Sequence, residues 1–228
     1  MNFFSHFMVD HQIHRPNFNV GLIAPDLLRN FTPKHCKFDF VDFQQQTSNH
    51  AHPNNPELHD FFSGCLQHIE RDKEFHQSPF FQEAYQTLRE SWRNTCLEFN
   101  IPKYWFSLHI LIEMMLDKYF IDNNLEKLEL FYYQLNSQKN TYENALATMN
   151  HTSTQTFMDR YQIFCEKQYL FHYQNIQRVA FALHKVYEQI GIPVDWYQQH
   201  ENQINSNIEA QFNQIQPLCS LYFPSSTE

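Results

Sequence analysis

"ELHDFFSGCLQHIERDKEFHQSPFF", residues 57–81, decides how this chain folds. Phe61, Cys65 and Ile69 recur every four residues, with Leu58 and Phe62 beside them. That is the apolar stripe of an amphipathic helix from about Glu57 to Gln77. Ser78-Pro79 then stops the period and restarts it, Ser78 as N-cap and Pro79 in the first turn of a second helix to about Glu98. On the first helix His68, Asp72 and His76 follow at four-residue intervals, so three metal-capable side chains share one stripe.

The helical period continues outward. Pro102 opens a third helix to about Asp122, and a fourth, Leu125 to Gln138, carries Leu125, Leu128, Phe131, Tyr132 and Leu135 on one face. Two more span about 155–170 and 172–190 before "GIPVD", and the last runs from about 196 to 215, followed by a tail over 217–228. In "GLIAPDLLRNF", residues 21–31, Asp26 after Pro25 opens a short helix. Residues 139–154 read as a connector. Residues 44–56, "QQQTSNHAHPNNP", read as a polar loop in which His50 and His52 are poor ligands, because they must first be ordered. Only three glycines occur, and no Asn-Gly or Asp-Gly hairpin signal, which argues against a sheet. The expectation is an all-α protein, one compact domain over 1–228 of about eight helices. Gly64 and Gly191 are expected at special backbone positions or close helix contacts.

A formal charge of −9 argues against a nucleic-acid backbone or an anionic membrane as main partner. The start "MNFFSHFMVD" lacks the basic opening of a signal peptide, and the most apolar run, "YWFSLHILIEMML" over 104–116, is too short to span a membrane. Cysteines 36, 65, 96, 165 and 219 are scattered with no CxxC, which suits free, buried thiols in a reducing cytoplasm.

Spacing alone is a weak signal. With 14 His and 25 Asp or Glu, 39 of 228 residues qualify, so i, i+4, i+8 triples arise by chance roughly once. Three occur: His6-Asp10-His14, His68-Asp72-His76 and His109-Glu113-Asp117. The third sits in a helix apolar all round, where a carboxylate is costly unless paired or metal-bound, and it reads as a site. The second, in polar "QHIERDKEFHQ", reads by itself as a wet face, and Arg15-Pro16 cuts the first short. Residues i and i+8 lie about 12 Å apart along a helix, so one ion draws on neighbouring turns, and two facing stripes would form an elongated cleft.

The ordered motifs "MNFFSH", "GLIAPDLLRNF", "GCLQHIERDKEFHQS" and "HILIEMMLD", over about the first 120 residues, resemble the acyl carrier protein phosphodiesterase family. That family is a distant, all-helical relative of the HD-type phosphohydrolases, and its named activity is manganese-dependent removal of phosphopantetheine from holo-acyl carrier protein. His6, Asp26, His68 and Asp72 stand in its positions. His76 replaces an Asp, His109 and Glu113 replace two aspartates, and Met114 replaces a His. The literal pair His59-Asp60 lies outside the family order.

The resemblance implies an HD-like helical bundle with metal ligands His6, Asp26, His68, Asp72, His109 and Glu113. The expected catalytic groups are Asp72, with His76 or Asp117 near the ion as the residue that moves the proton. Manganese is the ion by resemblance, and mixed imidazole and carboxylate donors also suit iron or zinc. The expected arrangement is one cleft between two helices, where His68, Asp72, His109 and Glu113 meet Asp26. Lys34, Lys37, Arg71 and Lys73 read either as phosphate grips or as solvated cations, and "RNFTPKHCK" over 29–37 is the basic patch for an acidic carrier protein. Two other readings stay open: a hemerythrin-like, non-catalytic metal bundle through His109-x-x-x-Glu113, and a degenerate helical interaction module. A zinc phosphodiesterase is a further form of the first reading.

Overall fold

The apolar stripe of residues 57–77 does what its spacing predicts. Leu58, Phe61, Phe62, Cys65 and Ile69 are all buried, on a helix observed from Pro56 to Gln77. A computed structural model of the chain describes residues 1–32, 55–149 and 154–224, and no strand occurs among the described residues. The helices are α1 (Phe3–Asp10), α2 (Pro16–Gly21), α3 (Ala24–Phe31), α4 (Pro56–Gln77), α5 (Pro79–Glu98) and α6 (Tyr104–Asn123). They continue with α7 (Leu125–Ser137), α8 (Lys139–Thr148), α9 (Thr154–Lys167), a 3-10 segment (Tyr169–Gln174), α10 (Ile176–Gln189) and α11 (Asp195–Tyr222). The protein is all-α, with no described helix long and apolar enough to cross a membrane.

The helix count exceeds the expected eight, and the reason is tertiary. A helix under about 12 residues is marginal by itself, so short ones form where packing holds them. The expected connector at 139–154 contains α8, whose Tyr142 hydroxyl donates to the Val20 carbonyl at 2.8 Å while Thr141 donates to Asn17 at 2.7 Å. The expected tail at 217 is likewise helical to Tyr222. Pro217 costs one backbone hydrogen bond, but Ile215 and Cys219 are buried on either side of it. The end is then held by the Tyr222 hydroxyl on Glu83 and by the Tyr119 hydroxyl on the Phe223 carbonyl. Lys34, Cys36, Lys37, His50, His52 and most of the expected polar loop lie outside the described residues.

The helices group into two compact units, each built from two chain segments. The first is Met1–Glu74 with Leu125–Tyr169; the second is Phe75–Asn124 with Leu170–Glu228. In the first, Phe4 and Phe7 meet the edge of Phe131, and Tyr142 packs between Phe61 and Tyr161. Helices α2 and α4 touch backbone to backbone. A Cβ on Gly21 would fall on the Phe61 carbonyl, and one on Gly64 would fall on the Phe18 carbonyl. In the second unit the Trp92 indole donates to Ser107 at 2.8 Å and the Tyr187 hydroxyl to the Pro102 carbonyl at 2.6 Å. Gly191 ends α10 with φ of 78°, the left-handed conformation glycine adopts without steric cost. Cys65, Cys96, Cys165 and Cys219 are free and buried, so they act as small apolar residues.

Candidate metal centres

In the first unit, His6, Asp26 and His68 come from three separate helices and place one donor atom each within 4.8 Å of one another. Phe3, Phe4 and Phe7 draw α1 into the core and take the His6 ring with them, fully buried. Asp26 lies in the first turn of α3, where the helix N-terminus favours a carboxylate. His68 Nδ1 donates to the Leu22 carbonyl at 2.6 Å. A carbonyl only accepts, so Nδ1 carries the proton of this bond, and Nε2 faces the Asp26 carboxylate at 3.8 Å. Such a backbone anchor is the usual support of a metal-ligating histidine.

The His6 and His68 rings stack with centroids 3.8 Å apart. Neither His6 nitrogen has a hydrogen-bond partner among the described residues. Burial, reinforced by the neighbouring His68, holds the His6 pKa well below the ordinary histidine value, so its ring is neutral. Its Nε2 lies 4.0 Å from Asp72 Oδ1, and Asp72 also accepts from the Met1 amino group at 2.6 Å. Two buried imidazoles and two carboxylates thus meet, with Asp72 at a 38% exposed edge, a donor set that suits a cation. Asp10 does not join them. Its carboxylate takes a bidentate grip from Arg71, which also pairs with Glu74, so Arg71 is committed within the fold rather than held ready for phosphate.

The second unit has its own group. His109 and Glu113 stand on successive turns of α6, and His76 comes from the segment that ends α4. His76 Nε2 lies 2.9 Å from His109 Nε2 and 3.1 Å from Glu113 Oε1, and His109 Nε2 lies 2.9 Å from that same oxygen. The Ser78-Pro79 break fixes His76 in place. Ser78 Oγ caps the Phe81 amide, the Gln82 side chain donates to the His76 carbonyl at 2.9 Å, and the Phe81 ring packs edgewise on both imidazoles. The Glu113 carboxyl is held well below the usual range: burial pushes it up, but the positive charge of the N-terminal amino group, followed by hydrogen bonds from the His109 and His76 rings, outweighs that.

Among the five residues expected in one cleft, close donor contacts are seen within each unit. His68, Asp26 and Asp72 gather with His6 in the first. His109 and Glu113 are joined in the second by His76, read from sequence as a proton carrier. Asp117 is fully buried on α6 and belongs to neither group. The Leu22 carbonyl and Phe81, which orient the histidines, escaped the sequence reading. The cap at Ser78 was the one available signal for Phe81, and a backbone carbonyl leaves none. Comparison of the chain with protein-family models, curated proteins and solved structures finds no match.

Proposed function

We propose that this chain is a metal-dependent phosphodiesterase that uses the His6, Asp26 and His68 group with Asp72, and that holo-acyl carrier protein is its substrate by the resemblance of its motifs. One observation carries the reading. His6 is a buried, neutral imidazole with both nitrogens unpartnered, set against His68 and Asp26, and leaving a buried polar group unsatisfied costs about 1–3 kcal/mol. The donor set fits a divalent ion such as manganese, iron or zinc.

A bound divalent ion would supply Lewis acidity toward a phosphoryl oxygen and a lowered pKa for bound water. His6 and His68 offer lone pairs, and the Leu22 carbonyl keeps the His68 ring from turning. Asp26 brings the charge that offsets a cation. Asp72, at the edge of the group, accepts the proton of the attacking water. The hydroxyl adds to phosphorus, the bond to the leaving oxygen breaks, and that oxygen takes up the proton that Asp72 received, which returns Asp72 to its carboxylate.

The test is hydrolysis of bis(p-nitrophenyl) phosphate and of holo-acyl carrier protein by purified protein, with and without manganese, alongside Asp72→Asn. The expected result is manganese-dependent cleavage of both substrates, greatly reduced in Asp72→Asn with the circular dichroism spectrum unchanged. No cleavage of either substrate by protein shown to be metal-loaded overturns the reading.

A further inference from the structure

The three contacts in the second unit cannot all be hydrogen bonds at once. A neutral imidazole nitrogen either carries one proton or offers one lone pair, in the plane of its ring, and a carboxylate oxygen only accepts. If both Nε2 atoms carry protons, each can donate to Glu113, and two N–H groups then confront each other at 2.9 Å. If only one carries a proton, it serves one neighbour and leaves two acceptors face to face. One edge of the triangle is frustrated in either case. A cation on the open side of the triangle removes the conflict, because three lone pairs then point at one positive centre.

We propose that His76, His109 and Glu113 bind a first-row divalent transition ion through three adjacent positions of an octahedron, leaving the opposite face for water or a substrate oxygen. The spacing supports the geometry. At a metal–ligand distance of about 2.05 Å, donors at right angles lie about 2.9 Å apart and tetrahedral donors about 3.4 Å apart. The three observed edges, 2.9, 2.9 and 3.1 Å, match the right-angle case. Two imidazoles and one carboxylate select manganese, iron, cobalt or zinc over calcium or magnesium, which take all-oxygen shells.

Access agrees with an open face. The Glu113 side chain is 12% exposed, whereas those of His76 and His109 are 28% and 38% exposed. Buried Phe75 and Phe81 pack against the rings, and the apolar wall keeps water from competing for the imidazoles on that side. None of these residues belongs to the group used in the proposed function, so each assignment has its own variants to test it.

Equilibrium dialysis of the full chain against manganese, with zinc as a second probe, tests the assignment without reference to any activity. The expected result is that His109→Ala and Glu113→Gln each bind one ion per chain fewer than the wild type, while His6→Ala keeps that ion. Circular dichroism checks the fold, and Glu113→Gln preserves the side-chain volume should His109→Ala prove unstable. Wild-type stoichiometry and affinity in both variants overturns the proposal. So does loss of the same ion in His6→Ala, which would tie it to the other group. Whether His6→Ala loses a different ion bears only on the phosphodiesterase reading.

Discussion

In the first unit, His6 and His68 meet face to face, 3.8 Å between ring centres, and His6 is sealed from water; in the second, His76 and His109 meet through their nitrogens and keep about a third of their surface. The same residue types are held in opposite ways. Burial governs the first group: it keeps His6 neutral and leaves its nitrogens unpartnered. Charge governs the second: Glu113 is ionised against the pull of burial because the N-terminal amino charge and two imidazoles favour its charged form. A dry group is specified by what surrounds it, and an open one by its own mutual contacts. Perturbations should therefore separate them.

The largest expected effect comes from the backbone crossing beneath the first group. Gly64→Ala drives a Cβ into the Phe18 carbonyl and the amide of Leu22, the residue whose own carbonyl orients His68. Urea unfolding should show a loss of about 3 kcal/mol, the upper end of overpacking costs. An unchanged midpoint would mean that α2 and α4 do not approach this closely.

Metal comes next. Manganese at a hundred times its dissociation constant should stabilise the folded chain by about 2.7 kcal/mol per site, and chelation should remove this. Differential scanning calorimetry of His6→Ala and Glu113→Gln shows which group supplies it. A thermal midpoint indifferent to both manganese and chelator breaks the comparison at its root.

Smaller still is the response of chelated protein to His6→Leu. Replacing a buried, unpartnered ring with an apolar side chain should leave stability unchanged or raise it by about 1 kcal/mol, whereas the same change at a hydrogen-bonded histidine would lower it. Marked destabilisation in urea would show that the His6 nitrogens are satisfied after all.

The finest distinction is pH dependence, again in chelated protein. The folded His6 pKa is depressed, so between it and about 6.5 the unfolded chain binds more protons, and stability falls as pH drops below about 6.5. His11 and His184 are shifted the same way and share this step, so His6→Leu should shrink it rather than abolish it. Glu113 is also depressed, and its contribution is present above about 4.3 and lost as pH falls through its folded value. Glu113→Gln should flatten only that lower step. Identical pH profiles for the two variants would show that the groups do not differ as described.

Much of the fold was legible because helices announce themselves locally. The period through Phe61, Cys65 and Ile69, the cap at Ser78, and Gly191 after α10 each act within a few residues. The illegible parts were helices that local sequence does not support by itself. Helix α8 depends on Tyr142 reaching Val20, and the last turns of α11 survive Pro217 through contacts made by Tyr222 and Phe223.

For the candidate site the division runs between residue type and partner. By itself the sequence determined which side chains are able to hold a cation and which helical stripe carries them, because the i, i+4 relation is a property of the helix alone. Only the tertiary structure decided the partners: His68 and Asp72 lie near His6 and Asp26 in the first unit, and His76 contacts His109 and Glu113 in the second. The physical reason is that a side chain's partners across space depend on where other helices pack. Gly21 against Gly64 and the break at Ser78-Pro79 set those positions, and no spacing within one helix encodes them.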